Sequence, residues 1–116
     1  MPKSFEDGPD LTKRKLPVNA DACAERLRAV SDGERLRIVC FLQKGPQNVT
    51  EIAKAINMPV VNASHHLQVL RHAGLVNTER KGRKIFYGLA DEVFPNSPEE
   101  LDFGCCRLQI EPQSMK

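Results

Sequence analysis

The chain has 116 residues, a formal net charge of +2 at neutral pH, one tyrosine and no tryptophan. This length suits one domain with a modest core of aliphatic side chains. The sequence has no run of about 18 apolar residues that could span a membrane, and its polar N-terminus lacks the apolar segment of a signal peptide. We therefore expect a cytoplasmic protein with no membrane partner.

The small net charge hides an uneven distribution along the chain. Residues 31–88 have nine basic and four acidic side chains, hence a balance of +5, whereas residues 89–116 have two basic and six acidic side chains, hence −4. A basic middle with an acidic tail fits a protein that binds a polyanion better than it fits an enzyme. The sequence also has no nucleophile elbow, phosphate-binding loop or paired carboxylate cluster, so we expect no enzymatic activity.

The predicted organisation has three parts. Residues 1–19 contain three prolines and few large apolar residues, which predicts a disordered tail. A folded body is expected over residues 20–94, and a C-terminal extension with a cysteine pair over residues 95–116.

Apolar spacing predicts three helices in the first half of the body. They cover Asp21–Val30, Glu34–Lys44 and Val49–Ile56. Ser31 or Asp32 can cap the second helix, and Asn48 can cap the third.

A fourth amphipathic helix is predicted at Pro59–Gly74. Pro59 suits a first helical turn, and Gly74 suits the left-handed residue that ends a helix. The predicted buried stripe consists of Val60, Ala63, Leu67 and Leu70, with Val69 and Ala73 beside it. The remaining polar side chains include no acid: Asn62, Ser64, His65, Gln68, Arg71 and His72. Such a front can enter a DNA major groove, although an ordinary surface helix of a small α domain has the same pattern.

Two strands are predicted after this helix, at Leu75–Glu79 and Lys84–Leu89. They flank a glycine-containing basic turn, Arg80-Lys81-Gly82-Arg83, so that four cations lie within five residues. The predicted helices Val49–Ile56 and Pro59–Gly74, joined by a tight turn, form a helix-turn-helix pattern. A basic hairpin directly after such a pattern is typical of a wing that reaches DNA phosphates, whereas a charge run by itself can be a solvated hairpin tip.

The segment Leu27–Ala90 resembles ArsR/SmtB-type winged helix-turn-helix repressors through LRAVSDGERLRIVCFL, VTEIAKAINMPVVNASHHLQVLRHAGLV and RKGRKIFYGLAD. The resemblance implies a mainly α, α/β winged helix-turn-helix fold. It also implies a homodimer that binds double-stranded DNA at a palindromic operator and is released by an inducer.

The resemblance places Val60, Asn62, Ser64 and His65 toward the groove, with valine where the family often has glutamine. The candidate DNA-binding residues are Val60, Asn62, Ser64, His65, Gln68, Arg71, Arg80, Lys81, Arg83 and Lys84. A winged-helix protein–protein interaction module without specific DNA binding is the alternative.

The sensing site departs from the family pattern. The family's thiolate metal site would fall on Val49–Ile56, where this sequence has no cysteine, and no histidine follows His72 for the interfacial zinc site. We expect no metal and no cofactor. Glu100–Ile110 is predicted as a strand in place of the family's C-terminal dimerisation helix, which leaves Ala22–Val30 as the dimer helix.

The cysteines permit three interpretations. The candidate thiol sensors are Cys40, Cys105 and Cys106. Cys40 matches a cysteine of the family's oxidant-responsive branch, whereas a buried cysteine is commonly a small core residue. We rank structural roles above thiol redox sensing, and redox sensing above a thiolate-bound metal or metalloid.

Overall fold

The computed structural model describes residues 20–104 and 106–111. The predicted disordered tail and Cys105 therefore lie outside the described residues. In chain order the elements are α1 (Ala20–Val30), α2 (Gly33–Leu42), β1 (Gln47–Asn48), α3 (Val49–Ile56), α4 (Val60–His72), β2 (Val76–Lys81), β3 (Lys84–Leu89), β4 (Glu100–Asp102) and β5 (Arg107–Gln109). This order of four helices and an antiparallel hairpin confirms the predicted mainly α winged helix-turn-helix. Among the described helices, none is both long and apolar enough to cross a membrane.

Polar side chains set the starts of α2 and α3. The Asp32 carboxylate accepts hydrogen bonds from the backbone N–H groups of Glu34 at 2.9 Å and Arg35 at 3.1 Å, so that Asp32 is the cap of α2. These backbone bonds, with the nearby Arg35 guanidinium, lower the pKa of Asp32 because they favour its ionised form. Asn48 caps α3 in the same way, accepting from the N–H of Glu51 at 2.9 Å.

The start of α4 differs by one residue from the prediction. Pro59 is the extended N-cap residue, with ψ at 148°, rather than a residue of the first turn. Ala63, Leu67 and Leu70 are fully buried, which confirms the centre of the predicted stripe. Val60, in contrast, is 47% exposed, so its predicted place in the buried stripe is wrong. It lies in the first turn, ahead of the first residue that α4 buries.

A short strand that the sequence did not predict joins the wing. The sheet order is β1-β3-β2, and β1 pairs antiparallel with β3 through Gln47 opposite Tyr87. The turn of the hairpin is shorter than predicted, because Arg80 and Lys81 continue β2 and only Gly82 and Arg83 connect the strands. Gly82 has a φ of 65°, a conformation that two-residue hairpin turns favour and that glycine adopts without strain.

The C-terminal extension forms a hairpin rather than the single predicted strand. β4 and β5 pair antiparallel, with Leu101 opposite Leu108. The chain turns near Gly104, which has a φ of 88° and donates its N–H to the Asp102 carboxylate at 2.9 Å. This left-handed glycine is the physical reason that one continuous strand does not form.

The same extension packs on the helical body. Leu101 and Phe103 belong to the main hydrophobic core, where both are almost completely buried. The Gln43 side chain, just after α2, donates to the carbonyl oxygens of Pro98 at 2.9 Å and Ile110 at 3.1 Å. The division of the chain at residue 95 stays a prediction, and the core itself extends past that boundary.

Candidate nucleic-acid interface

The pair α3 and α4 forms the helix-turn-helix. The two helices pack against each other, and the turn between them contains Asn57 in the left-handed conformation, with a φ of 63°. Asparagine tolerates this conformation because its short polar side chain can bond locally. The helix α3 buries Ile52, Ala53 and Ile56 as predicted, and it packs against α4.

The outer side of α4 is the helix surface that lies opposite its buried residues. Positions 61, 65, 68 and 72 are spaced by four, three and four residues, so they lie along one line of the helix surface. Val61, His65 and His72 are exposed on this line, and Gln68 is half-buried. We call these four residues the outer line of α4. Of the remaining predicted contact residues on α4, Val60, Asn62 and Arg71 are exposed and Ser64 is half-buried.

His66 points elsewhere and holds α4 in place. Its Nε2 lies 2.9 Å from a Glu34 carboxylate oxygen, and its Nδ1 lies 3.4 Å from an Arg35 guanidinium nitrogen. Because an arginine can only donate, Nδ1 accepts and the neutral ring has its proton on Nε2, which donates to Glu34. The same arginine donates to the Ala29 carbonyl at 2.7 Å. His66 therefore connects α4 to α2, and through Arg35 to the end of α1, so both of its ring nitrogens have partners within the chain.

The side chains around His66 are of types that bind metal ions, but an arginine among them forms an ion pair with one of the carboxylates. Asp32, Glu34 and His66 each offer a ligand atom within 4.8 Å of the others. The Arg35 guanidinium lies 3.8 Å from Asp32 and contacts the His66 ring as well. Arg35 thus forms an ion pair with Asp32, and Glu34 accepts a hydrogen bond from His66, so both carboxylates already have partners within the chain. We assign the cluster to helix positioning.

A second tie fixes the C-terminal end of α4. The Arg26 side chain of α1 donates to the carbonyl of Ala73, directly after the helix, at 3.3 Å. This bond satisfies one of the carbonyl oxygens that a helix end leaves without an intrahelical partner. Contacts in the middle and at the end of α4 therefore hold its outer line in a fixed orientation relative to the body.

The wing exposes all four of its predicted cations. Arg80, Lys81, Arg83 and Lys84 are exposed to solvent. Lys81 lies directly opposite Lys84 in the strand pairing, an arrangement of like charges that destabilises a hairpin. The Lys81 ammonium is placed 5.7 Å from the centre of the Phe86 ring, which offsets part of this cost by a cation–π contact. A bound polyanion would neutralise the remaining repulsion.

A cleft joins the wing to the start of α3. It has a volume of about 410 Å³ and is lined by Thr50 and Glu51 on one side and by Arg83, Lys84 and Tyr87 on the other. The first turn of a helix presents unpaired N–H groups and the positive end of its dipole. The cleft therefore brings two wing cations close to the positive end of the α3 dipole, while the acidic Glu51 also lines it and donates its backbone N–H to the Asn48 cap. The sequence analysis did not single out Thr50 as a residue of this cleft, and only its place at a helix start could have indicated it.

The three described cysteines are buried or packed against the core. Cys40 is 9% exposed, and burial raises the pKa of its thiol. A buried thiol with a raised pKa forms little of the reactive thiolate at neutral pH. Cys106 is half-buried and Cys23, which is buried in α1, is disulfide-bonded. The sensor role of Cys40, Cys105 and Cys106 stays a prediction.

Comparison with known proteins identifies the family. A profile described as "Bacterial regulatory protein, arsR family" matches residues 32–78. The chain is 42% identical over 78 residues to the transcriptional regulator NmtR of Mycobacterium tuberculosis, covering 65% of each protein. It is 34% identical over 83 residues to the biofilm growth-associated repressor of Xylella fastidiosa, covering 72% of this chain and 73% of the repressor. The chain belongs to the ArsR family.

Solved structures agree with this membership in the ArsR family. The solution structure of a homodimeric winged helix-turn-helix DNA-binding domain from Mycobacterium bovis matches with a TM-score of 0.61 at 37% identity, covering 63% of this chain and 68% of that one. The crystal structure of the repressor BigR from Xylella fastidiosa matches with a TM-score of 0.57 at 36% identity, covering 63% and 74%. Alignments with the M. tuberculosis regulators NmtR and SmtB span only 65% and 53% of those proteins' lengths.

Proposed function

We propose that the protein is a sequence-specific transcriptional repressor that acts in the cytoplasm and binds double-stranded DNA as a homodimer. The proposal rests on one observation. The outer line of α4 has no acidic residue, and the wing that follows this helix exposes four cations. The helix supplies groups that meet base edges, and the wing supplies charges that meet phosphates. Relatives named as repressors, and a homodimeric neighbour, support this function.

The homodimer would form through α1. Leu27 is an exposed large apolar residue on this helix, 37% exposed in the single chain, and a second copy would cover it. Release by an inducer completes the proposal, and the inducer's chemistry is left open. The alternative, a protein–protein interaction module without specific DNA binding, does not by itself give a reason for four exposed cations in the wing.

Selection from a random duplex library tests the function. The full chain is expected to enrich one roughly palindromic sequence whose half-sites are separated by about one helical turn, ~34 Å. Its affinity for this duplex should exceed its affinity for random duplex by at least about 10³-fold. Enrichment of no sequence, with equal affinity for all duplexes or for none, would contradict the proposal.

A further inference from the structure

The most exposed large apolar residue among those described is on α4. Val61 is 75% exposed, compared with 47% for Val60 and 40% for Ile85. A valine that leaves most of its surface in water gains almost nothing from folding, because apolar stabilisation scales with the area removed from water. Single exposed apolar residues are common, so the position of Val61 decides its meaning.

Val61 is in the first turn of α4 and begins its outer line. It is followed on that line by His65 and Gln68, two polar residues that can bond to base edges. The first turns of a recognition helix are the part that approaches base edges most closely in the major groove. The valine thus occupies a place suited to base reading, although it has no hydrogen-bonding group.

Chemistry restricts what such a side chain can recognise. In the major groove, guanine, adenine and cytosine present donors and acceptors, and thymine alone adds an apolar group, its C5-methyl. We infer that Val61 is a specificity-determining residue that contacts the C5-methyl of one thymine in each half-site. This inference rests on the proposed DNA binding. It assigns an A·T pair to the position that Val61 faces, whereas Asn62 and His65 read their positions by hydrogen bonds.

The test removes one methyl group from DNA at a time. Each thymine of the selected duplex is replaced by deoxyuridine, which keeps every donor and acceptor and lacks only the methyl. Burial of one methyl group corresponds to about 0.8 kcal/mol. The wild-type full chain should therefore lose about 4-fold in affinity at one thymine of a half-site, and about 15-fold when both half-sites are changed.

Two variants locate the contact. Val61→Ala should bind the thymine duplex more weakly than wild type and show no further loss with deoxyuridine. Val60→Ala is the comparison variant, because it deletes the same atoms one residue earlier on a less exposed side chain. Val60 is itself a candidate DNA contact, so this variant is judged by the deoxyuridine effect and not by its overall affinity, and the effect should remain. Circular dichroism and sedimentation should show that both variants keep the wild-type fold and oligomeric state.

The outcomes separate this inference from the proposed function. Wild-type binding to the selected duplex without any deoxyuridine effect overturns the role of Val61 and leaves DNA binding intact. A deoxyuridine effect that persists in Val61→Ala, or that is lost only in Val60→Ala, also overturns it. Dissociation of the oligomer in Val61→Ala would assign the side chain to a protein interface and overturn it as well. Failure to select any duplex would contradict the proposed function itself, and the inference with it.

Discussion

Replacing Arg83 and Lys84 together with alanine should weaken binding to every duplex, whatever its sequence. Both side chains are exposed in the wing and line the cleft beside the first turn of α3. Charged hydrogen bonds contribute about 1.5 kcal/mol or more, which is roughly 10-fold in affinity for each lost phosphate contact. The slope of log K against log salt should become shallower by about 0.9 for each contact, hence by about 1.8 per protomer.

The control for this wing variant keeps the charge and changes the residues. Arg83→Lys combined with Lys84→Arg retains both cations, and it should keep a salt slope close to that of wild type. Fluorescence anisotropy with random and selected duplexes at several salt concentrations measures both variants. If the double alanine variant binds random duplex with the affinity and slope of wild type, the wing does not contact DNA phosphates.

The largest expected effect on stability comes from Leu67→Ala. Leu67 is fully buried on the inner side of α4, in the core shared by the helices and the wing. Leucine-to-alanine changes at such sites cost about 2–5 kcal/mol, because they remove apolar contacts and leave a cavity. That is a large fraction of the roughly 5–15 kcal/mol that stabilises a typical domain. Urea unfolding followed by circular dichroism should therefore show a much lower midpoint.

The neighbouring residue Gln68 provides the matched comparison for Leu67. Gln68 is half-buried on the outer line of α4, so Gln68→Ala should change the free energy of unfolding by no more than about 0.5 kcal/mol. Its affinity for the selected duplex should fall without loss of stability. Equal unfolding midpoints for Leu67→Ala and Gln68→Ala would show that the two faces of α4 are assigned wrongly.

Local spacing was sufficient to predict the helix-turn-helix. The bounds of α3 are those predicted, and the buried centre of α4 follows from the three- and four-residue spacing of Ala63, Leu67 and Leu70. Such patterns depend only on neighbouring residues, so they are visible in the sequence. Once the buried side is known, the outer positions of α4 follow from helix geometry.

Contacts between distant residues account for what the sequence did not predict. The strand β1 has only two residues, so its pairing with β3 leaves no periodic pattern. His66 lies 32 residues from Glu34, and a bond between them depends on how α2 and α4 pack. At the C-terminus, the alternation of apolar residues indicated strand conformation correctly, but the turn near Gly104 depends on a backbone angle that composition does not specify.

In the candidate interface, too, the sequence predicted some features and the structure was needed for others. Charges in the wing were predicted from the sequence, whereas their cross-strand register, with Lys81 opposite Lys84, required the structure. Val61 was not among the predicted contact residues. Its neighbour Val60 had been assigned both to the buried stripe and to the groove; its exposure rules out the first, and the second stays a prediction. Because α4 begins one residue later than predicted, Val60 lies in its first turn, where it is exposed.

The most direct test of the account is a map of the DNA-binding surface in solution. Isotope-labelled full chain is titrated with a short random-sequence duplex at about 50 mM salt, where phosphate contacts are strong. Amide signals should shift in the first turns of α4 and in the wing around Gly82 and Arg83, while signals of β4 and β5 remain in place. Shifts confined to the C-terminal hairpin, or no shift at any duplex concentration, would contradict the conclusion that α4 and the wing bind DNA.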